Sequence, residues 1–130
     1  MNTTRWMLLA LVVGSVAACA NVERSRSTAN PNVSGATLAV QVCSDCHGPT
    51  GNSVSPNFPN LAAQQQAYLS AELQEFKRHS RTDPAGFEYM WGLSHNLTDK
   101  QIDELSTHFA SRKLERRPVE GKPERIAAET

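Results

Sequence analysis

Aromatic side chains make up only 6% of the 130 residues, so a core built from side chains alone would be thin for a stable fold. A large apolar cofactor is one way for a small scaffold to fill that gap. Charge of one sign is also missing: 13 basic residues face 13 acidic ones. Nucleic acid is therefore disfavoured as a partner, since phosphate binding needs a basic surplus gathered on one face. No apolar run reaches the roughly 20 residues that span a bilayer. There is no strand-like alternation and no internal repeat, which points to an all-α chain with a single site. Cysteine occurs only at positions 19, 43 and 46, so a second cysteine pair is lacking.

What is present begins at the amino terminus. Arg5 closes a short polar stretch, and an apolar run from Trp6 to Ala18 follows, giving residues 1–18 the basic and hydrophobic regions of an export signal. The run ends in Val16-Ala17-Ala18-Cys19, which resembles the lipobox of bacterial lipoproteins. That resemblance implies Cys19 as the first mature residue and a lipid anchor to a membrane, where two or more acyl chains suffice for stable attachment. Ordinary cleavage after Ala20 also fits the small-x-small rule. Residues 19–34 are polar without apolar period and read as a flexible tether, and residues 114–130 read as a polar, disordered tail. Between them, residues 35–113 form one small domain with six basic against eight acidic side chains, a mild imbalance that selects no partner.

Three helices are predicted inside the domain. The first runs from Ala36 to Cys43, with Leu38 and Val42 on one face. The second runs from Ala62 to His79, where Leu69, Leu73 and Phe76 form the apolar stripe and Tyr68 widens it. The third starts at Thr98, which with Gln101 fits a capping box, and carries Ile102, Leu105 and Phe109 to an end near Lys113. The connections are rich in turn formers, Gly48-Pro49-Thr50-Gly51, Pro56 to Pro59 and Asp83-Pro84-Ala85-Gly86. Loops of that length in a small domain usually wrap something.

The chemistry concentrates in Cys43-Ser44-Asp45-Cys46-His47. This is Cys-x-x-Cys-His, the attachment signature of c-type haem, in which two thiols add to the two vinyl groups and the histidine takes one face of the iron. One covalent haem c is the predicted cofactor. Three other uses of the motif compete with it. A thioredoxin-like pair would want a βαβ setting. Zinc would want four ligands, with only His79, His95 and His108 left to supply them. A disulfide between Cys43 and Cys46 would close a loop too short to stabilise much.

Taken with the motif, Pro59-Asn60-Leu61-Ala62, Ala67-Tyr68-Leu69, Arg81-Thr82-Asp83-Pro84, Met90 and Leu97-Thr98-Asp99 make residues 35–113 resemble a class I cytochrome c. The resemblance is to the small bacterial branch whose two-haem members carry the motif twice. It implies three main helices with loops wrapped around one haem, and periplasmic electron transfer between a redox donor and an acceptor, with no substrate chemistry. A haem c subunit of a larger membrane-associated oxidoreductase is the alternative, and a ligand-binding or peroxidatic haem protein a further one. The resemblance also implies His47 and Met90 as axial ligands. Met90 is the only thioether outside the export segment, although His95 and His79 stand as alternatives. By the same resemblance the Pro59 carbonyl would orient His47 and Leu61 would pack on the haem face. Arg81 and Trp91 are the first candidates for the propionates. Two positions depart from the family pattern: Ala63 where relatives often have Gly, and His108 where an aromatic residue is usual.

Overall fold

The computed structural model describes residues 23–84 and 86–115, all of whose regular elements are helical. A first helical segment is built of α1 (Gly35–Leu38), a π-helical turn (Ala39–Cys43) and α2 (Ser44–His47). It is followed by α3 (Gln66–Lys77), a second π-helical turn (Gly86–Met90), α4 (Trp91–Ser94) and α5 (Asp99–Ala110). α5 is the hub: α1, the first π-helical turn and α3 all pack on it.

Its start is set by the predicted capping box, in which Thr98 accepts the Gln101 N–H and the Gln101 side chain accepts the Thr98 N–H. This satisfies two of the otherwise orphaned amides of a helix start. The predicted face follows, with Ile102, Leu105 and Phe109 all buried alongside Leu38, Ala39, Leu69 and Leu97. The helix closes at Ala110, three residues before the expected end.

α1 begins at Ser34, whose hydroxyl accepts the Thr37 N–H. Its first residue, Gly35, gives its N–H to Glu104 on α5 at 2.6 Å. A Cβ on Gly35 would stand 2.5 Å from the Glu104 Cβ and 2.8 Å from the Leu105 nitrogen, so glycine permits the close crossing of α1 and α5. The helical segment runs past the predicted end at Cys43 and stops at Gly48, which has φ 79°. The consequence is functional, because Cys43, Cys46 and His47 share one continuous helical stretch.

α3 is shorter than predicted. Residues 61–63 spend their N–H groups elsewhere: Leu61 and Ala62 donate to the Gly51 carbonyl, and Ala63 donates to the Phe109 carbonyl with φ 60°. Helix therefore waits until Gln66. Within it Leu69 is buried and Leu73 and Phe76 half-buried, while Tyr68 is 52% exposed and adds nothing to the buried face.

The stretch read as a tether touches the domain. The Ser25 hydroxyl donates to Gln41, Arg26 pairs with Asp45 at 2.9 Å, and the buried Gln101 amide donates to the carbonyls of Asn30 and Val33. His108 is half-buried with its ring edge-on to Phe109 and beside Arg112; burial and the Arg112 charge both lower its pKa. No helix among the described residues is long and apolar enough to cross a membrane. Cys19, the signal segment and the tail beyond residue 115 lie outside the described residues.

Candidate functional site

Cys43 closes the first π-helical turn, and Cys46 and His47 occupy the α-helical turn that follows. Residues three and four apart share a helix face, so Cys43 stands on the same side of this stretch as Cys46 and His47. Both cysteines are free and half-buried, without a disulfide. Burial, with smaller contributions from Cys46 and Asp45, pushes the Cys43 thiol up to about 12. It is therefore a neutral thiol at physiological pH, unlike the thiolate of a reactive redox cysteine. No group of three or more metal-ligating side chains gathers among the described residues.

His47 is buried at 7% exposure. Its Nδ1 lies 2.9 Å from the carbonyl oxygen of Pro59, the contact anticipated from the sequence. A carbonyl only accepts, so Nδ1 carries the proton and donates, which leaves Nε2 as the nitrogen with a lone pair. Phe58 stands edge-on to the imidazole with ring centres 6.2 Å apart. Leu61 and Cys43 both pack against the core cluster.

The second half of the site is carried by the chain between α3 and α5. Asp83 organises its approach, accepting from Arg81 Nε at 2.6 Å and from the Gly86 N–H at 2.9 Å. Arg81 also pairs with Glu72 on α3 and lies over the Phe76 ring. These contacts hold the Asp83 carboxyl below its ordinary range, the bond from Arg81 first and the Gly86 N–H next. Met90 ends the π-helical turn that follows and is half-buried. Its carbonyl accepts the hydroxyl of the buried Ser94 at 2.6 Å.

The structure thus joins His47 to Pro59 and places Met90 on a separate braced segment. Both segments lead back to α5, the first directly and the second through α3. The Arg81 guanidinium is engaged by Glu72 and Asp83. Trp91 is stacked between two histidines, with ring centres 4.5 Å from His79 and 4.9 Å from His95. His79 also stacks on Phe87 at 4.1 Å. Both ring nitrogens of His95 have neighbours, Nδ1 at 3.1 Å from the Trp91 carbonyl and Nε2 at 2.7 Å from the Asn96 amide.

Sequence reasoning missed this aromatic stack, because three of its members come from one stretch and the fourth, His79, from just beyond the end of α3. The only signal for it was the spacing of Phe87, Trp91 and His95 at four-residue intervals, which a helical turn aligns. It also missed the contact of Ser53 with Asn60.

Paired cysteine thiols on one helical stretch, an adjoining histidine with an anchored Nδ1, and an all-helical frame with few aromatics to fill it are the features of a covalent haem-binding domain. The donor set fits the group: two thiols to form thioether bonds and one imidazole nitrogen for iron. Residues 33–113 match the cytochrome c family, and the chain belongs to it. A cytochrome c domain carries covalently attached haem c, for which Cys43 and Cys46 have the required spacing.

Over 73 residues the chain is 41% identical to cytochrome c4 of Pseudomonas aeruginosa, covering 56% of this chain and 34% of the relative. It is 34% identical over 76 residues to the thiosulfate dehydrogenase electron acceptor of Thiomonas intermedia, covering 58% of this chain and 34% of that protein. Among solved structures, reduced recombinant cytochrome c4 from Pseudomonas stutzeri superposes with a TM-score of 0.54 at 36% identity, covering 62% of this chain and 45% of the other. The chain thus spans about a third of the length of these curated relatives.

Proposed function

We propose that this protein is a periplasmic one-electron carrier with a single haem c, bound through Cys43 and Cys46 and ligated by His47 and Met90. The observation that carries the reading is the 2.9 Å contact between His47 Nδ1 and the Pro59 carbonyl. A histidine ligand works best with its distal nitrogen fixed by a hydrogen bond, which sets its tautomer and raises its basicity. Once bound, the haem iron supplies the one-electron redox chemistry. The chain's part is to hold, orient and shield it. On attachment the S–H of Cys43 and of Cys46 would each add across a haem vinyl group, the sulfur bonding one vinyl carbon and the hydrogen the other.

Met90 is the favoured second ligand because His95 has both ring nitrogens occupied by neighbours and His79 is stacked between Phe87 and Trp91. The Arg81–Asp83–Gly86 brace supports a fixed path into Met90. A thioether ligand closes the iron to exogenous ligands and raises its potential, as a carrier requires. Leu61 would cover one haem face. Of the propionate candidates, Trp91 could turn its indole N–H toward a carboxylate, whereas Arg81 would share its guanidinium with Glu72 and Asp83. A lipid on Cys19 would tether the domain to the membrane.

Two relatives named as electron acceptors of thiosulfate dehydrogenase favour a redox enzyme as the donor class. They also bear on a second reading, in which the chain is the haem c subunit of a larger oxidoreductase. Size-exclusion of a native extract separates the two, since a free carrier elutes alone. The attachment itself is tested by pyridine haemochrome analysis with intact-mass measurement. One haem per chain is expected, with covalent attachment lost in the Cys43→Ala, Cys46→Ala double variant. A haem that can be extracted from the wild type by acid acetone would refute it.

A further inference from the structure

Between α2 and α3 lies a set of polar contacts that haem attachment does not account for. Ser53 is only 3% exposed although it sits in a polar loop. Its N–H donates to Asn60 Oδ1 at 2.8 Å. Its hydroxyl lies 3.3 Å from the Cys46 carbonyl and 3.0 Å from the Ser55 carbonyl, and it accepts the Ser55 N–H at 3.2 Å. Asn60 follows Pro59 in the chain, and Cys46 precedes His47. The contacts therefore close a ring: His47 to the Pro59 carbonyl, along the backbone to Asn60, across to Ser53, and through its hydroxyl back to Cys46.

We propose that Asn60 and Ser53 are positioning residues for His47, setting the strength of its hydrogen bond to Pro59 and through it the reduction potential of the haem. The proposal rests on the reading of His47 as an iron ligand. Pro59 is exposed, and the residues that follow it in the chain are held by hydrogen bonds. The Gly51 carbonyl accepts from Leu61 and Ala62, and nearer to Pro59 the Asn60 side chain accepts the Ser53 N–H. A tight Nδ1–H···O=C bond gives the imidazole more anionic character and stabilises ferric iron. Releasing Asn60 lets the Pro59 carbonyl move away, which weakens that donation and raises the potential. The same release exposes the Nδ1 proton to exchange.

The natural control lies in the same loop. Asn52 binds Thr50 Oγ1 at 3.0 Å and the Lys113 carbonyl at 2.9 Å, and accepts the Glu115 N–H at 2.8 Å, with no link to the His47 ring. The experiment compares haem-loaded wild type, Asn60→Ala, Ser53→Ala and Asn52→Ala by redox titration, thermal melting and NMR exchange of the His47 Nδ1 proton. Asn60→Ala should raise the potential and speed that exchange roughly tenfold, the factor for losing one hydrogen bond that holds a local structure closed. Ser53→Ala should shift both in the same direction, and it carries the comparison if Asn60→Ala fails to take up haem. Asn52→Ala should lower the melting temperature and leave the potential unmoved. Equal potential shifts in Asn60→Ala and Asn52→Ala, or wild-type potential and exchange in both Asn60→Ala and Ser53→Ala, would overturn the proposal. Failure of the underlying reading has its own signature: His47→Ala would then keep the wild-type haem spectrum.

Discussion

Ala63 sits with φ 60°, in the left-handed region, on an exposed turn just ahead of α3. An L-residue there crowds its Cβ against the following carbonyl at a cost of about 1–2 kcal/mol. Glycine removes that strain but brings back unfolded-state entropy of about 0.4–1 kcal/mol. Because the side chain is exposed, Ala63→Gly opens no cavity, and the N–H that Ala63 donates to the Phe109 carbonyl is kept. The net expectation is a gain of about 0.5–1 kcal/mol, or roughly 2–8 °C in melting temperature for a domain of this size. Thermal unfolding of the haem-loaded protein followed by far-UV circular dichroism measures it. His79→Gly provides the contrast, since His79 has φ 58° but is stacked on Phe87 and Trp91, so strain relief is offset by lost ring contacts. A destabilised Ala63→Gly, or an equal gain in both variants, would refute the reasoning.

Gly51 has φ 78°, and a Cβ there would stand 2.8 Å from Phe109 Cδ1 and 3.0 Å from the Ala62 nitrogen. Gly51→Ala should cost about 1–3 kcal/mol, as overpacking does, read as a lower urea midpoint at unchanged slope. Glu104 has its carboxyl held below its ordinary range, first by the Gly35 N–H and then by Lys100. A folded-state pKa below the unfolded one adds stability above the unfolded value and loses it as pH falls through the folded one. Glu104→Gln should therefore melt below wild type at neutral pH and match it in acid below the carboxylate range, in a paired series of melts.

Much of this fold could be read from the residues because several local signals agreed. Thr98, Gln101, Ile102, Leu105 and Phe109 specify cap and face of α5 together, and the structure keeps every one of them. The start of α3 was misjudged because Leu61, Ala62 and Ala63 look helical by composition, yet their N–H groups are claimed by Gly51 and Phe109, partners 10 and more residues away. Tyr68 was misplaced because apolar periodicity does not tell a stripe's edge from its centre. At the site, Cys43, Cys46 and His47 are one contiguous motif and needed no tertiary information. Pro59 required a family resemblance. Asn60 stands inside the Pro59-Asn60-Leu61-Ala62 stretch, yet neither it nor Ser53 signalled their contact, since the partners of the two side chains are backbone groups, which every residue possesses alike.

The central claim, a haem c held between His47 and Met90, is tested most directly by the ferric absorption spectrum of the purified protein beside that of Met90→His. Sulfur ligation gives a weak far-red band. The account predicts that band in the wild type and its loss in Met90→His, with the main visible bands of attached haem preserved in both. A wild-type spectrum without the band, or one that Met90→His leaves unchanged, would contradict it.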